Sequence, residues 1–142
     1  MNRPRILIVN DEATLRDFFR FNLQMRGYDV TDTPGTPEVI VLVENEQPDL
    51  VILDLMVRGV DGFGLCRRIC QSTRSSVIAF NMRGGENDLL RCLEMGVDDY
   101  LGKPIGVDEL MSRVRAVLRN KPYAGAGTGG QTINTVDTLK SF

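Results

Sequence analysis

The 142-residue chain contains no histidine. That absence removes Ser-His and Cys-His nucleophilic catalysis and argues against a zinc site. Cysteine is scarce and odd in number, three in all, with Cys66 and Cys70 four apart in one apolar-periodic segment. The spacing admits a redox pair, but buried free thiols on a helix face are the reading adopted, in a reducing cytoplasm. No run reaches the ~18 apolar residues that a membrane span requires, and the N-terminal MNRPRILIVND is charged too early for a signal peptide. Charge of one sign is also lacking. Seventeen basic against nineteen acidic residues leave a net charge of −2, which gives no support for nucleic-acid binding by this segment.

What remains is a chain with the composition of a soluble globular domain, 42% hydrophobic and 25% charged. Short apolar runs at Arg5–Val9, Tyr28–Thr31, Leu50–Leu53, Val77–Phe80 and Asp99–Leu101 read as strands. Between and after them, helical periodicity marks Glu12–Arg26, residues 37–46, Phe63–Cys70, Glu86–Met95 and Val107–Arg119. The second of these carries the run V-I-V-L-V from Val39, which has strand propensity; its length and its place in the alternation favour helix. Strands that are apolar without period-2 alternation belong to a sheet covered on both faces. Five strands alternating with five helices therefore predict an α/β fold, a doubly wound five-stranded parallel sheet with helices on both faces. From Lys121 the composition shifts to PYAGAGTGG, a glycine-rich linker. The domains expected are thus residues 1–120 as the folded unit and 121–142 as a flexible linker or tail.

In such a sheet, ligands bind beyond the carboxyl ends of the strands. Those ends carry Asn10 and Asp11, then Asp54, then Asn81, and the last strand runs into Lys103. Two carboxylates and a main-chain carbonyl make an oxygen-lined site suited to Mg²⁺, and the ion with a lysine would neutralise an arriving phosphoryl group. An aspartate nucleophile is already ionised at neutral pH, which fits a chain with no histidine.

With these residues the sequence resembles the receiver domain of two-component response regulators over roughly residues 4–120, through IVNDE at 8–12, VILDLMV around Asp54, Asp61-Gly62, GVDDYLGKP at 96–104 and the 109–119 helix. The resemblance implies a flavodoxin-like sheet of strand order 2-1-3-4-5 and phosphoryl transfer from a sensor histidine kinase to Asp54. It implies Mg²⁺ held by Asp11, Asp54 and the Met56 carbonyl, with Asn10 reaching it through water, and Lys103 paired with the phosphoryl group. Asn81 stands at the switch position, usually Ser or Thr, and Tyr100 at the switch aromatic. Pro104 would fix the lysine loop. GVDDYLGKP with the 109–119 helix resembles the OmpR/PhoB-like branch, which implies a C-terminal winged-helix DNA-binding domain after the linker. It also implies a homodimer face on the fourth helix, fifth strand and fifth helix, through Asp98, Asp99, Glu109, Arg113 and Arg115. Intramolecular pairing of Glu109 with Arg113 is the competing reading of that face.

Several residues depart from the family pattern near the site: Asn10 for an acid, Asn81 for a hydroxyl, Met82 for a small residue, Arg58 for a proline and Ile105 for a phenylalanine. Leu89 stands where the branch often has a basic residue. Two readings follow. One is a phosphoacceptor with altered rates that switches an attached transcription regulator; the other is an atypical receiver phosphorylated poorly or not at all, serving as a constitutive dimerisation or partner-binding module. A turnover enzyme is not expected, since phosphohydrolases with an Asp nucleophile place a second Asp two residues on, where this chain has Met56.

Overall fold

In a computed structural model of the chain, residues 3–81, 86–102 and 105–120 are described. The expected alternation is present as β1 (Arg5–Val9), α1 (Ala13–Met25), β2 (Asp29–Thr33), α2 (Val39–Glu46), β3 (Leu50–Asp54), α3 (Gly62–Ser72), β4 (Ser76–Phe80), α4 (Glu86–Met95), β5 (Asp99–Leu101) and α5 (Val107–Arg119). All strand pairings are parallel, in the order β2-β1-β3-β4-β5.

The unbroken apolar strands are explained by two cores, one on each face. Leu7, Val9, Val51, Leu53, Val77 and Ala79 pack toward α2, α3 and α4. Their alternates, Ile6, Ile8, Leu50, Ile52, Ile78 and Phe80, pack toward α1 and α5, where Phe19, Leu23, Leu110 and Val114 meet them. Each Val, Leu, Ile or Phe among these contributes about 1.5–3 kcal/mol when removed from water, so both faces need a helical cover.

Local chemistry sets the helix ends. The Glu12 carboxylate accepts the main-chain N–H groups of Thr14 and Leu15 at 3.1 and 2.9 Å and starts α1, and Asp61 accepts that of Gly64 at 3.1 Å to start α3. Gly27 and Gly96, with φ of +92° and +99°, stop α1 and α4. The V-I-V-L-V run is helical because Val39, Ile40 and Val43 fall on one buried face. That helix begins at Val39 rather than residue 37, after a turn closed by the Val39 N–H on the Thr36 carbonyl at 3.0 Å. The second strand extends to Thr33, two residues past the expected end, since β2 pairs along the whole of β1 from Arg5↔Asp29 to Val9↔Thr33. Lys121 onward, the expected linker, lies outside the described residues.

Candidate functional site

Strand register brings the candidate residues to one rim. Val9 pairs with Leu53, Asp54 with Phe80, and Phe80 with Leu101. Asn10 and Asp11 therefore leave β1 beside Asp54, and Asn81 leaves β4 beside β5, its N–H on the Leu101 carbonyl at 3.0 Å. Behind the rim, Gly62 lies so close to the chain after β3 that a Cβ there would fall 1.9 Å from the Leu55 carbonyl oxygen. Only glycine lets α3 start this near the strand that carries Asp54.

Asp54 is half-buried and its Oδ1 accepts the Met56 N–H at 2.9 Å. Burial pushes its carboxyl above the usual range; the Met56 amide offsets part of this, and the Asp11 charge pushes it up again. Asp11 is lowered, first by the Arg58 main-chain N–H and then by the Arg58 side chain. Both Arg58 donors, the amide N–H and Nε, meet Asp11 Oδ2 at 3.0 Å.

Asn10 is buried, and its side-chain oxygen accepts the Glu12 N–H at 2.8 Å, while its carbonyl accepts from Arg16 at 2.7 Å. The amide at this position shapes the turn into α1 and leaves its oxygen one remaining lone pair for a bridging water. A full charge ~4 Å from an ion would be worth at most ~4 kcal/mol at an effective dielectric of ~20, so an amide here would weaken such a site without abolishing it.

Asn81 is buried and donates from Nδ2 to Asp88 Oδ2 at 3.0 Å. Tyr100 is also buried, near Asn81, and its hydroxyl meets no hydrogen-bond partner among the described residues. Burial pushes the phenol up, with smaller contributions from Cys92 and Asp88 and a slight offset from Asn81. Lys103, Pro104 and Met82 lie outside the described residues. Ile105 packs against the α1/α5 core and Leu89 against the opposite one.

The five residues expected on a partner-facing surface engage their own chain. Asp98 accepts the Val77 N–H at 2.8 Å. Asp99 is buried, accepts the Tyr100 N–H at 2.8 Å and pairs with Arg113 at 3.2 Å. Arg113 also reaches Glu109 at 3.4 Å, and Arg115 donates to Ser112 at 3.2 Å. The three cysteines are free thiols, as the sequence suggested, and burial pushes Cys92 up to about 11.

The donor set suits a hard divalent ion. Among the described residues no group of three His, Cys, Asp or Glu side chains is placed to hold a metal. Mg²⁺ asks for less, one or two carboxylates with waters completing the shell. Asp11 and Asp54, at the ends of the adjacent strands β1 and β3, are two such carboxylates. Sequence reasoning found these residues because each closes an apolar strand. It missed two contacts, Arg58 with Asp11 and Asp88 with Asn81. The former pair is 47 positions apart, and neither sits in a pattern that a single sequence exposes.

The model of the response regulator receiver domain matches residues 6–115. The chain belongs to that family, whose members are the phosphorylated input modules of two-component signalling. It is 40% identical over 119 residues to the DNA-binding dual master transcriptional regulator RpaA of Synechocystis sp., covering 82% of this chain and 49% of that protein. The chain thus spans about half the length of this curated relative. Among solved structures it is similar to the BeF3-activated N-terminal receiver domain of Klebsiella pneumoniae RstA, at 29% identity and a TM-score of 0.75, covering 81% of this chain and 98% of that one. The receiver domain of Francisella response regulator 1452 aligns with 26% identity and a TM-score of 0.78, over 84% and 100% of the two chains.

Proposed function

We propose that this receiver accepts a phosphoryl group on Asp54 from the phosphohistidine of a sensor kinase. The observation that carries this reading is the placement of Asp11 and Asp54 at the ends of the adjacent strands β1 and β3, where the Asp11 charge adds to burial in raising the Asp54 carboxyl. A carboxylate oxygen of Asp54 would attack phosphorus; the P–N bond breaks, its electron pair stays on the imidazole nitrogen, and an acyl phosphate forms. The Met56 N–H, 2.9 Å from Oδ1, orients the nucleophile. Mg²⁺, held by Asp11, Asp54 and the Met56 carbonyl with Asn10 through water, would supply positive charge to the phosphoryl oxygens. Lys103 is assigned the pairing role on the product. Incubation with Mg²⁺ and a small-molecule phosphodonor, followed by intact mass, tests this: one phosphoryl group should be gained by the native chain and none by Asp54→Asn. No gain at saturating donor removes the reading.

In the intact protein, residues 1–120 would form this receiver, and 121–142 would lead to a DNA-binding domain, as the likeness to RpaA suggests. Asn81 and Tyr100 would relay phosphorylation to a homodimer face on α4, β5 and α5, where Glu109 and Arg115 are candidates for contacts across the pair. The domain would act as a signalling phosphoacceptor and not as a turnover enzyme. Among the described residues no helix is long and apolar enough to cross a membrane. The likeness to a DNA-binding transcriptional regulator supports a cytoplasmic location.

A second reading is favoured by one contact. Asn81 donates to Asp88, a bond that the switch position would have to give up to reach a phosphoryl group, which suits a receiver that dimerises or binds partners without phosphorylation. The same mass measurement separates the two.

A further inference from the structure

The β3–α3 loop places a built-in cation on the acidic rim. Val57 is buried, with Gly35 packed against it, and Gly59 turns the chain immediately afterwards with φ of +83°. Arg58, between these two fixed points, directs its main-chain N–H and its Nε to the same Asp11 oxygen, each at 3.0 Å. The main-chain bond follows from the loop's path, and any residue except proline, which lacks the N–H, could make it. The guanidinium bond is specific to arginine, and it sets a positive charge against a carboxylate that the proposed ion would also need.

We infer that Arg58 is an internal competitor for the divalent ion: its guanidinium holds Asp11 in the ion-free domain and must withdraw for the ion to bind. This rests on the reading of Asp11 and Asp54 as the ion site. The Arg58 side chain is 87% exposed, so withdrawal into water is cheap and the competition is modest. Two charged groups in this setting attract by no more than about 1 kcal/mol, roughly fivefold in a binding constant. The amide N–H stays in place throughout, so Asp11 keeps its orientation while the cation changes.

The test is calorimetric titration with Mg²⁺ alone, without phosphodonor, on the native chain, Arg58→Gln and Arg58→Lys. Gln removes the charge and retains much of the length; Lys retains the charge. The expected result is about two- to fivefold tighter binding by Arg58→Gln, with Arg58→Lys close to native. Thermal midpoints measured alongside should agree, as the side chain is exposed. Equal or weaker binding by a folded Arg58→Gln overturns the competitor role while leaving the ion site intact. Absence of binding in all three chains overturns the ion site and this inference together.

Discussion

The Asn81 side chain donates to Asp88 Oδ2 over 3.0 Å, tying the end of β4 to the first turn of α4. A switch that must reach a phosphoryl group from β4 would first have to give up this bond, whose acceptor is a carboxylate. Asn81→Thr removes the amide that spans the gap and supplies a hydroxyl that can rotate. Phosphorylation-driven dimerisation should then strengthen by about tenfold, the equivalent of one hydrogen bond of ~1.4 kcal/mol. Sedimentation velocity with and without phosphodonor reads this directly; identical profiles for the two proteins would count against the account.

Asp54 carries a cost that the fold tolerates. Burial and the Asp11 charge raise its carboxyl above the ordinary value, so the charged form is the disfavoured one in the folded state. The stability linked to the protonated group is full below the unfolded value and is lost as pH rises through the folded one. Asp54→Asn keeps an acceptor for the Met56 N–H and removes the charge. Without Mg²⁺ it should raise the melting temperature by a few degrees at neutral pH, and the gain should vanish in acid. A gain that persists unchanged at low pH would assign the effect to packing instead.

Arg113 is the counter-ion of a buried acid. Asp99 has 5% of its side chain exposed and Arg113 25%. Burial holds the Asp99 carboxyl above its ordinary value despite the arginine. Arg113→Ala leaves that charge uncompensated and should cost about 2–4 kcal/mol at neutral pH. The deficit should shrink as acid protonates Asp99, and adding Asp99→Asn should recover most of it. Denaturant unfolding of the two single variants and the double variant decides, and additive losses would contradict the pairing.

Gly62 tests the packing behind the rim. With the Leu55 carbonyl oxygen 1.9 Å from any Cβ placed there, Gly62→Ala must move either the start of α3 or the chain after Asp54. A loss of more than about 2 kcal/mol is expected, together with slower phosphorylation. Gly64→Ala is milder, since the nearest atoms to its Cβ belong to the Asp61 side chain, with Oδ2 at 2.6 Å, and not to the backbone.

The architecture was legible because apolar runs and helical periodicity are local signals. Even the β-branched run from Val39 was read correctly, its place in the alternation outweighing propensity. The rim was legible for a topological reason: parallel strands deliver their last residues to one edge, so Asn10, Asp11, Asp54 and Asn81 could be grouped before any distance was known. Side-chain direction was not legible. Asp98 and Asp99 were assigned to a dimer face by resemblance, and their contacts within the chain, Asp98 with the Val77 N–H and Asp99 with Arg113, came only with the structure. Whether an acid faces a partner, its own helix or an ion depends on tertiary contacts that spacing does not encode. Arg58 was visible as a departure from pattern, but its hold on Asp11 follows only from the path of the loop after β3.

The most direct test concerns the acyl phosphate itself. Borohydride reduction after incubation with Mg²⁺ and phosphodonor, followed by peptide mapping, converts a phosphorylated aspartate to homoserine at its position. The account predicts homoserine at residue 54 and nowhere else. Homoserine at another aspartate, or at none with saturating donor, would contradict it.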